Sequence, residues 1–299
     1  MYRLENSRFV SQYDGFKDIS LLKVIKWRIS NISFQKKQID YRLNIEKNLE
    51  MITSSKDFIS WLGHSTFLIQ IDGARIITDP IMFDIPMFKR QVSFPYSIDE
   101  LKDIDYILIS HSHYDHLDLK SIKLLSQFSP KVITPLKMSR YLKSVENIDI
   151  VEMDWFQDLH VSSNLTITFL PAKHWGRRGV FDTNKTLWGS FLIRDIYFAG
   201  DTSYFSHFQE IGKKFKISKA LMPIGAYKPQ FIMKSNHMNP QESIQGALDL
   251  KADEVIPMHF GTFKLSDEDF DEPIRLANEE SLKNKIPLRE LNVGAGIYL

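Results

Sequence analysis

The chain has 299 residues and no cysteine, with 43% hydrophobic and 25% charged residues, so it is long and apolar enough to bury a substantial core in one large domain or two ordinary ones. The missing thiols exclude disulfide frameworks, cysteine-ligated zinc, iron–sulfur clusters and a cysteine nucleophile. A formal net charge of +1 gives no global attraction for nucleic acid.

Any metal site must therefore be built from histidine and carboxylate. No apolar run reaches the roughly 20 residues of a membrane-spanning helix. The start Met1-Tyr2-Arg3-Leu4-Glu5-Asn6 lacks the charged-then-apolar layout of a secretory signal, and the expectation is a cytoplasmic protein.

Residues 1–56 read as an arm packed on the main domain. Within them, segment 17–37 carries Lys17, Lys23, Lys26, Arg28, Lys36 and Lys37, with Leu22, Ile25, Ile29 and Ile32 at helical spacing. A packed arm with solvated lysines is the favoured reading; a contact with anionic lipid headgroups is the sharper one. From residue 57 to residue 299 the pattern is that of one α/β domain. Phe67–Ile71 and Ala74–Thr78 flank Asp72-Gly73, a two-residue hairpin signal. Tyr106–Ser110, Lys131–Thr134, Ile148–Met153, Leu165–Leu170, Leu187–Ile193, Ile196–Ala199, Ala220–Ile224 and Glu254–Met258 complete the expected strands. Between them, Asp118 caps a helix to about Gln127, and Asn239-Pro240-Gln241-Glu242 opens another, to Leu250, with a capping box. Pro273 opens the last. The segment Ile81–Phe94, apolar without clean periodicity, reads as a substrate-facing loop, and Phe83, Phe88, Tyr227 and Phe231 as aromatic residues suited to an apolar path.

The strand Tyr106–Ser110 runs straight into His111-Ser112-His113-Tyr114-Asp115-His116. Three imidazoles and a carboxylate in six positions at a strand end are metal-ligand density, of a kind that suits zinc and also manganese, iron or cobalt. His174, Asp201 and His259 each follow a further predicted strand, so they can meet the first cluster at one sheet edge. Seven donors suffice for two metals if one carboxylate bridges.

The run His111–His116, followed in order by His174, Asp201 and His259, resembles the metal signature of the metallo-β-lactamase-fold hydrolases. The flanks resemble more narrowly the N-acyl-phosphatidylethanolamine-hydrolysing phospholipases D. They are Trp61-Leu62-Gly63-His64-Ser65-Thr66, Thr78-Asp79-Pro80-Ile81, Leu187-Trp188-Gly189-Ser190, Phe198-Ala199-Gly200-Asp201-Thr202, Pro223-Ile224-Gly225-Ala226-Tyr227, His237-Met238-Asn239-Pro240-Gln241-Glu242 and His259-Phe260-Gly261-Thr262-Phe263. Lys228, Gln230, Phe231 and Asn239 depart from the residues more usual in that group, and Ser112 does so at a non-ligand position.

The resemblance implies a four-layer αββα sandwich with two zinc ions per chain. It assigns His111, His113 and His174 to one ion, Asp115, His116 and His259 to the other, and Asp201 as the bridge. The implied reaction is phospholipase D-type hydrolysis of a phosphodiester, with Asp115 orienting the attacking water and His237 protonating the leaving alkoxide. Asp79 is a candidate to orient a ligand imidazole, and His64 and Tyr227 are candidate substrate contacts. His160 and His207, without motif support, are expected at the surface. The substrate is then a phospholipid or another small molecule, not nucleic acid; peripheral membrane contact and pairing of two chains stay open. A metal-dependent lactonase resembling the ascorbate-phosphate lactonases, or a catalytically silent lipid-binding module, are the competing readings.

Overall fold

The computed structural model describes residues 2–11 and 42–299; the basic segment 17–37 lies outside the described residues. Fifteen strands run along these residues: β1 (Tyr2–Glu5), β2 (Arg8–Ser11), β3 (Phe58–Trp61), β4 (Phe67–Ile71), β5 (Ala74–Thr78), β6 (Tyr106–Leu108), β7 (Lys131–Pro135), β8 (Asp149–Met153), β9 (Asp158–His160), β10 (Thr166–Leu170), β11 (Ser190–Ile193), β12 (Ile196–Phe198), β13 (Lys219–Pro223), β14 (Glu254–Met258) and β15 (Gly296–Tyr298). They form a seven-stranded sheet in the order β15-β3-β4-β5-β6-β7-β8, a six-stranded sheet in the order β14-β13-β12-β11-β10-β9, and the separate β1-β2 hairpin.

Each large sheet is antiparallel at one end and parallel at the other. β5 to β8 pair parallel in the first, and β12 to β14 in the second. The Asp72-Gly73 hairpin turns as its sequence requires, with φ of 51° and 77°, the left-handed pair that matches the twist of the flanking strands. In the seven-stranded sheet, alternate residues enter two cores. Ile59, Trp61, Phe67, Ile69, Ile76, Leu108 and Ile133 face the second sheet. Phe58, Leu68, Ile77, Ile107 and Val132 face a layer that holds Leu101, Ile122, Leu125 and Leu142. Burial of both faces explains why these strands read as continuous apolar runs.

The helices His207–Lys214, Pro240–Asp249 and Glu272–Asn284 cover the six-stranded sheet with Phe208, Ile211, Ile244, Ala247, Ile274 and Ala277. The layers are thus helix, sheet, sheet, helix, an α/β sandwich of the expected kind. Asn239 and Glu242 form the expected capping box, each side chain bonding the other's backbone N–H, and Pro273 lies in the first turn of the last helix. Helix Leu119–Leu125 is capped by Asp118. Among the described residues, no helix is long and apolar enough to cross a membrane.

Two expected strands are shorter than their apolar runs. β6 stops at Leu108 because the Ser110 N–H bonds the Asp79 carboxylate instead of a ladder carbonyl. β11 starts only at Ser190, since the Leu187 and Gly189 amides bond the carbonyls of Leu136 and Ser110 in loops of the opposite sheet. Both departures tie backbone to the edge where the strands end.

Candidate metal centre

Among the described residues, the candidate metal ligands lie at that one edge, each following a strand that terminates there. β6 delivers His111–His116, β5 delivers Asp79, β10 delivers His174, β12 delivers Asp201, and β14 delivers His259. β3 leads into the turn that carries His64.

Two groups of donors share one carboxylate. In the first, His111 Nε2 is 2.9 Å from His113 Nδ1, His174 Nε2 is 3.2 Å from the same atom, and Asp201 Oδ2 lies 4.0 and 3.8 Å from His111 and His174. In the second, Asp115 Oδ2 is 3.6 Å from His116 Nε2 and 3.5 Å from His259 Nε2. Asp201 turns its other oxygen, Oδ1, to the same two imidazoles at 3.3 and 3.1 Å. One oxygen to each group is the arrangement a bridging ligand needs. Each group has its donor atoms within 4.8 Å of one another.

The donor set fits metal for a reason internal to the fold. His116 Nε2, His259 Nε2 and Asp201 Oδ1 are buried without a hydrogen-bond partner. Buried polar atoms left orphaned are costly, and here they are aimed at common points. A cation at each point satisfies them together. With imidazole and carboxylate as the only ligand types, zinc suits the set, as do other divalent first-row ions.

The electrostatics sort the imidazoles. Burial, reinforced by neighbouring imidazoles, pushes His111 well below its ordinary value, and burial does the same to His174. Burial brings His113 down to about 4. These groups present free lone pairs, the form a metal requires. Burial also acts against charge on His116 and His259, but Asp201 and Asp115 outweigh it; His116 is held well above its ordinary value and His259 rises to about 9. Asp201 and Asp115 stay ionised well below the usual carboxylate range, because the surrounding histidines, His116 first, overcome the burial that would raise them.

Asp79 locks the second group from behind. Its carboxylate accepts from Ser110 N at 2.7 Å, from Ser110 Oγ at 2.6 Å and from His116 Nδ1 at 2.6 Å. The bond to Nδ1 leaves His116 Nε2 facing the centre. His174 is oriented likewise by its Nδ1 contact with the Asn236 carbonyl at 2.9 Å.

A cavity of about 410 Å³ opens directly on the donors. His113, Asp115, Asp201 and His237 form its polar floor, and Ile85, Pro86, Met87, Phe88, Trp175, Met233 and Leu265 its apolar walls. His237, partly exposed, places Nδ1 3.7 Å from Asp201 Oδ2. The loop 81–94 thus supplies a wall, as its composition suggests.

Not every aromatic residue joins it. Phe88 does, whereas Phe83 borders a separate hollow and Phe231 is exposed away from the cavity. Tyr227 is turned elsewhere: its hydroxyl donates to Glu272 at 2.7 Å, and the neighbouring Ala226 faces the cavity. His64 is 1% exposed and lies beneath the second group rather than on a cavity wall. His160 is exposed as expected, but His207 is fully buried, because it starts a helix on the inward side with its ring against Phe205 and Phe208. Sequence reasoning missed Trp175, whose ring lies 4.5 Å from His113 and whose position directly after His174 was the available signal.

The family model of the beta-lactamase superfamily domain matches residues 74–260. The chain is 30% identical over 300 residues to N-acyl-phosphatidylethanolamine-hydrolyzing phospholipase D 1 of Caenorhabditis elegans, covering 92% of this chain and 83% of that protein. It is 39% identical over 233 residues to the mitochondrial N-acyl-phosphatidylethanolamine-hydrolyzing phospholipase D of Saccharomyces cerevisiae, across 72% of this chain but about half (49%) of the yeast protein. Among solved structures, the metallo hydrolase Igni18 of Ignicoccus hospitalis superposes with a TM-score of 0.64 at 20% identity, over 82% of this chain and 98% of that one.

Proposed function

The chain belongs to the beta-lactamase superfamily and is a metal-dependent hydrolase of that fold, and on that premise we propose that it is a phosphodiesterase that cleaves N-acyl-phosphatidylethanolamines to N-acylethanolamine and phosphatidic acid. The observation that carries this reading is the cavity: apolar walls rise directly from a floor of paired metal-binding groups and His237. An amphiphilic ester fits it, with its polar phosphodiester on the floor and its chains along Ile85, Phe88, Trp175 and Met233. The names of the worm and yeast relatives point to the same substrate.

His111, His113 and His174 would hold one ion and Asp115, His116 and His259 the other, with Asp201 offering an oxygen to each. Two such ions, zinc by donor chemistry, supply Lewis acidity and offset negative charge on the phosphoryl oxygens. Asp115, held ionised, accepts the proton of the water whose oxygen attacks phosphorus. As the bond from phosphorus to the ethanolamine oxygen breaks, that proton passes through His237, which burial keeps neutral, to the leaving oxygen, and the N-acylethanolamine leaves as the alcohol. We assign the hydrolase domain to residues 57–299, with the described residues 2–11 and 42–56 packed upon it. Met87, 86% exposed where it borders the cavity, marks the side presented to a membrane surface for peripheral contact.

The test is metal analysis of purified protein followed by a screen of N-acyl-phosphatidylethanolamine, other phosphodiesters and a lactone panel. The expected result is two ions per chain, release of N-acylethanolamine, and a kcat lower by about 10²–10⁴-fold in His237→Ala. Turnover confined to lactones would replace the phosphodiesterase reading, and absence of any metal-dependent turnover would replace it with a binding module.

A further inference from the structure

Ten histidine and aspartate side chains meet at the sheet edge. The two-ion assignment uses seven, Asp79 bonds His116 from behind and His237 lines the cavity, which leaves His64. Its backbone sits in the left-handed region at φ 54°, which among non-glycine residues asparagine, aspartate and histidine adopt most readily. Three hydrogen bonds hold it there. The His64 N–H donates to Thr262 Oγ1 at 2.7 Å, while its carbonyl accepts from Trp61 Nε1 at 2.9 Å and from the His259 N–H at 3.0 Å. The ring is held as firmly, 4.2 Å from the His259 ring and edge-on to Phe263 at 5.2 Å.

So fixed, the imidazole brings Nε2, which is buried without a hydrogen-bond partner, to 3.3 Å from Asp115 Oδ2. That same oxygen faces His116 and His259. A carboxylate oxygen has lone pairs for both an ion and an N–H donor. We propose that His64 is a positioning residue of the second metal site, whose Nε2–H donates to Asp115 Oδ2 and holds that oxygen towards the ion. The proposal rests on the metal-centre reading above, and the experiment separates the two. His64 reaches the substrate cavity nowhere, so it acts on the reaction only through Asp115.

Two variants of the full chain discriminate. His64→Asn tolerates the left-handed turn but ends short of Asp115. His64→Gln carries an amide N–H to about the place of Nε2. The readouts are competition for zinc against a chromophoric chelator and the visible spectrum of the cobalt-loaded protein. Expected for His64→Asn is a loss of about 10–100-fold in affinity for the second equivalent, the scale typical of a lost partner to a metal ligand, with the first equivalent unchanged. His64→Gln is expected to regain most of that affinity and the wild-type cobalt spectrum. Wild-type affinity for both equivalents in His64→Asn would overturn the proposal, and so would equal loss of the second ion in both variants, which would make His64 a ligand itself. A wild-type protein that takes up a single ion would instead overturn the two-ion reading, before any variant is compared.

Discussion

Asp79 touches no wall of the cavity, yet three hydrogen bonds converge on its carboxylate, one of them from an imidazole of the candidate metal centre. Burial raises its pKa, and the contacts with His116 and Ser110 work against that rise. Asp79→Asn keeps the volume but puts an NH₂ where one acceptor oxygen stands. Because Ser110 Oγ and His116 Nδ1 share Oδ2, either amide orientation strands a donor. Zinc affinity at the second site is expected to fall about 10–100-fold in a chelator competition, with wild-type affinity counting against the orienting role.

His207 makes a separate prediction, away from the metal. Neither ring nitrogen has a hydrogen-bond partner, and burial, with Lys173 adding to it, lowers its pKa to about 3. The folded chain therefore binds that proton at lower pH than the unfolded chain does. The stability this neutral imidazole permits is present above the ordinary histidine value and lost as pH falls towards 3, by about 1.4 kcal/mol per pH unit. His207→Phe removes the titration. The drop in urea-unfolding free energy from pH 7 to pH 5 should be smaller than wild type's by roughly 2 kcal/mol. Comparison with wild type cancels the titration of the metal ligands, which both proteins share. An equal drop in both proteins would sink this account.

At the scale of elements, the hairpin turn, the capping box and ten strands were legible because each is specified locally: by an Asp-Gly pair, by an Asn-Pro-Gln-Glu run, by short apolar runs between turn residues. β1, β2, β3, β9, β15 and the helix His207–Lys214 were not. β3 is four residues buried on both faces, with no alternation to mark it, and β15 is a three-residue edge that exists by pairing with β3. The helix lacks a side-chain cap at Ser206, the signal that marked Pro240–Asp249. The donors were legible because strand ends concentrate them, whereas the cavity walls come from loops with no period to read. Tyr227 illustrates the limit: Ala226 takes a left-handed backbone at φ 61°, and a motif does not say which of Ala226 and Tyr227 faces the cavity. The same segment carries a steric demand. A Cβ on Gly225 would lie 2.2 Å from the His259 carbonyl oxygen, backbone that cannot swing aside. Gly225→Ala should cost about 1–3 kcal/mol as overpacking and, by displacing His259, weaken the second metal more than the first. Thermal melts of the metal-free protein and a zinc titration measure the two effects separately; unchanged zinc binding would show that the strand end moves without its ligand.

For the whole molecule, the decisive fact is that neither sheet owns a complete site. His111, His113, Asp115 and His116 follow a strand of the seven-stranded sheet, whereas His174, Asp201 and His259 follow strands of the six-stranded one. Ions bound there would join the two halves of the sandwich through Asp201, in addition to the apolar core between them. Unfolding separates the donors, so binding free energy at the site is folding free energy. An ion at a thousand times its dissociation constant adds about 4 kcal/mol, and for a chain of this size each kcal/mol raises Tm by about 2–4 °C. Saturating zinc should thus raise the melting temperature of the metal-free protein by on the order of 10 °C, reversibly with chelator. Asp201→Asn, which keeps the side chain's size but weakens both sites at once, should show less than half that shift. A protein that holds two ions yet melts at the same temperature with and without them would mean that the donors stay assembled in the unfolded chain, and that the ions do not clamp the sheets.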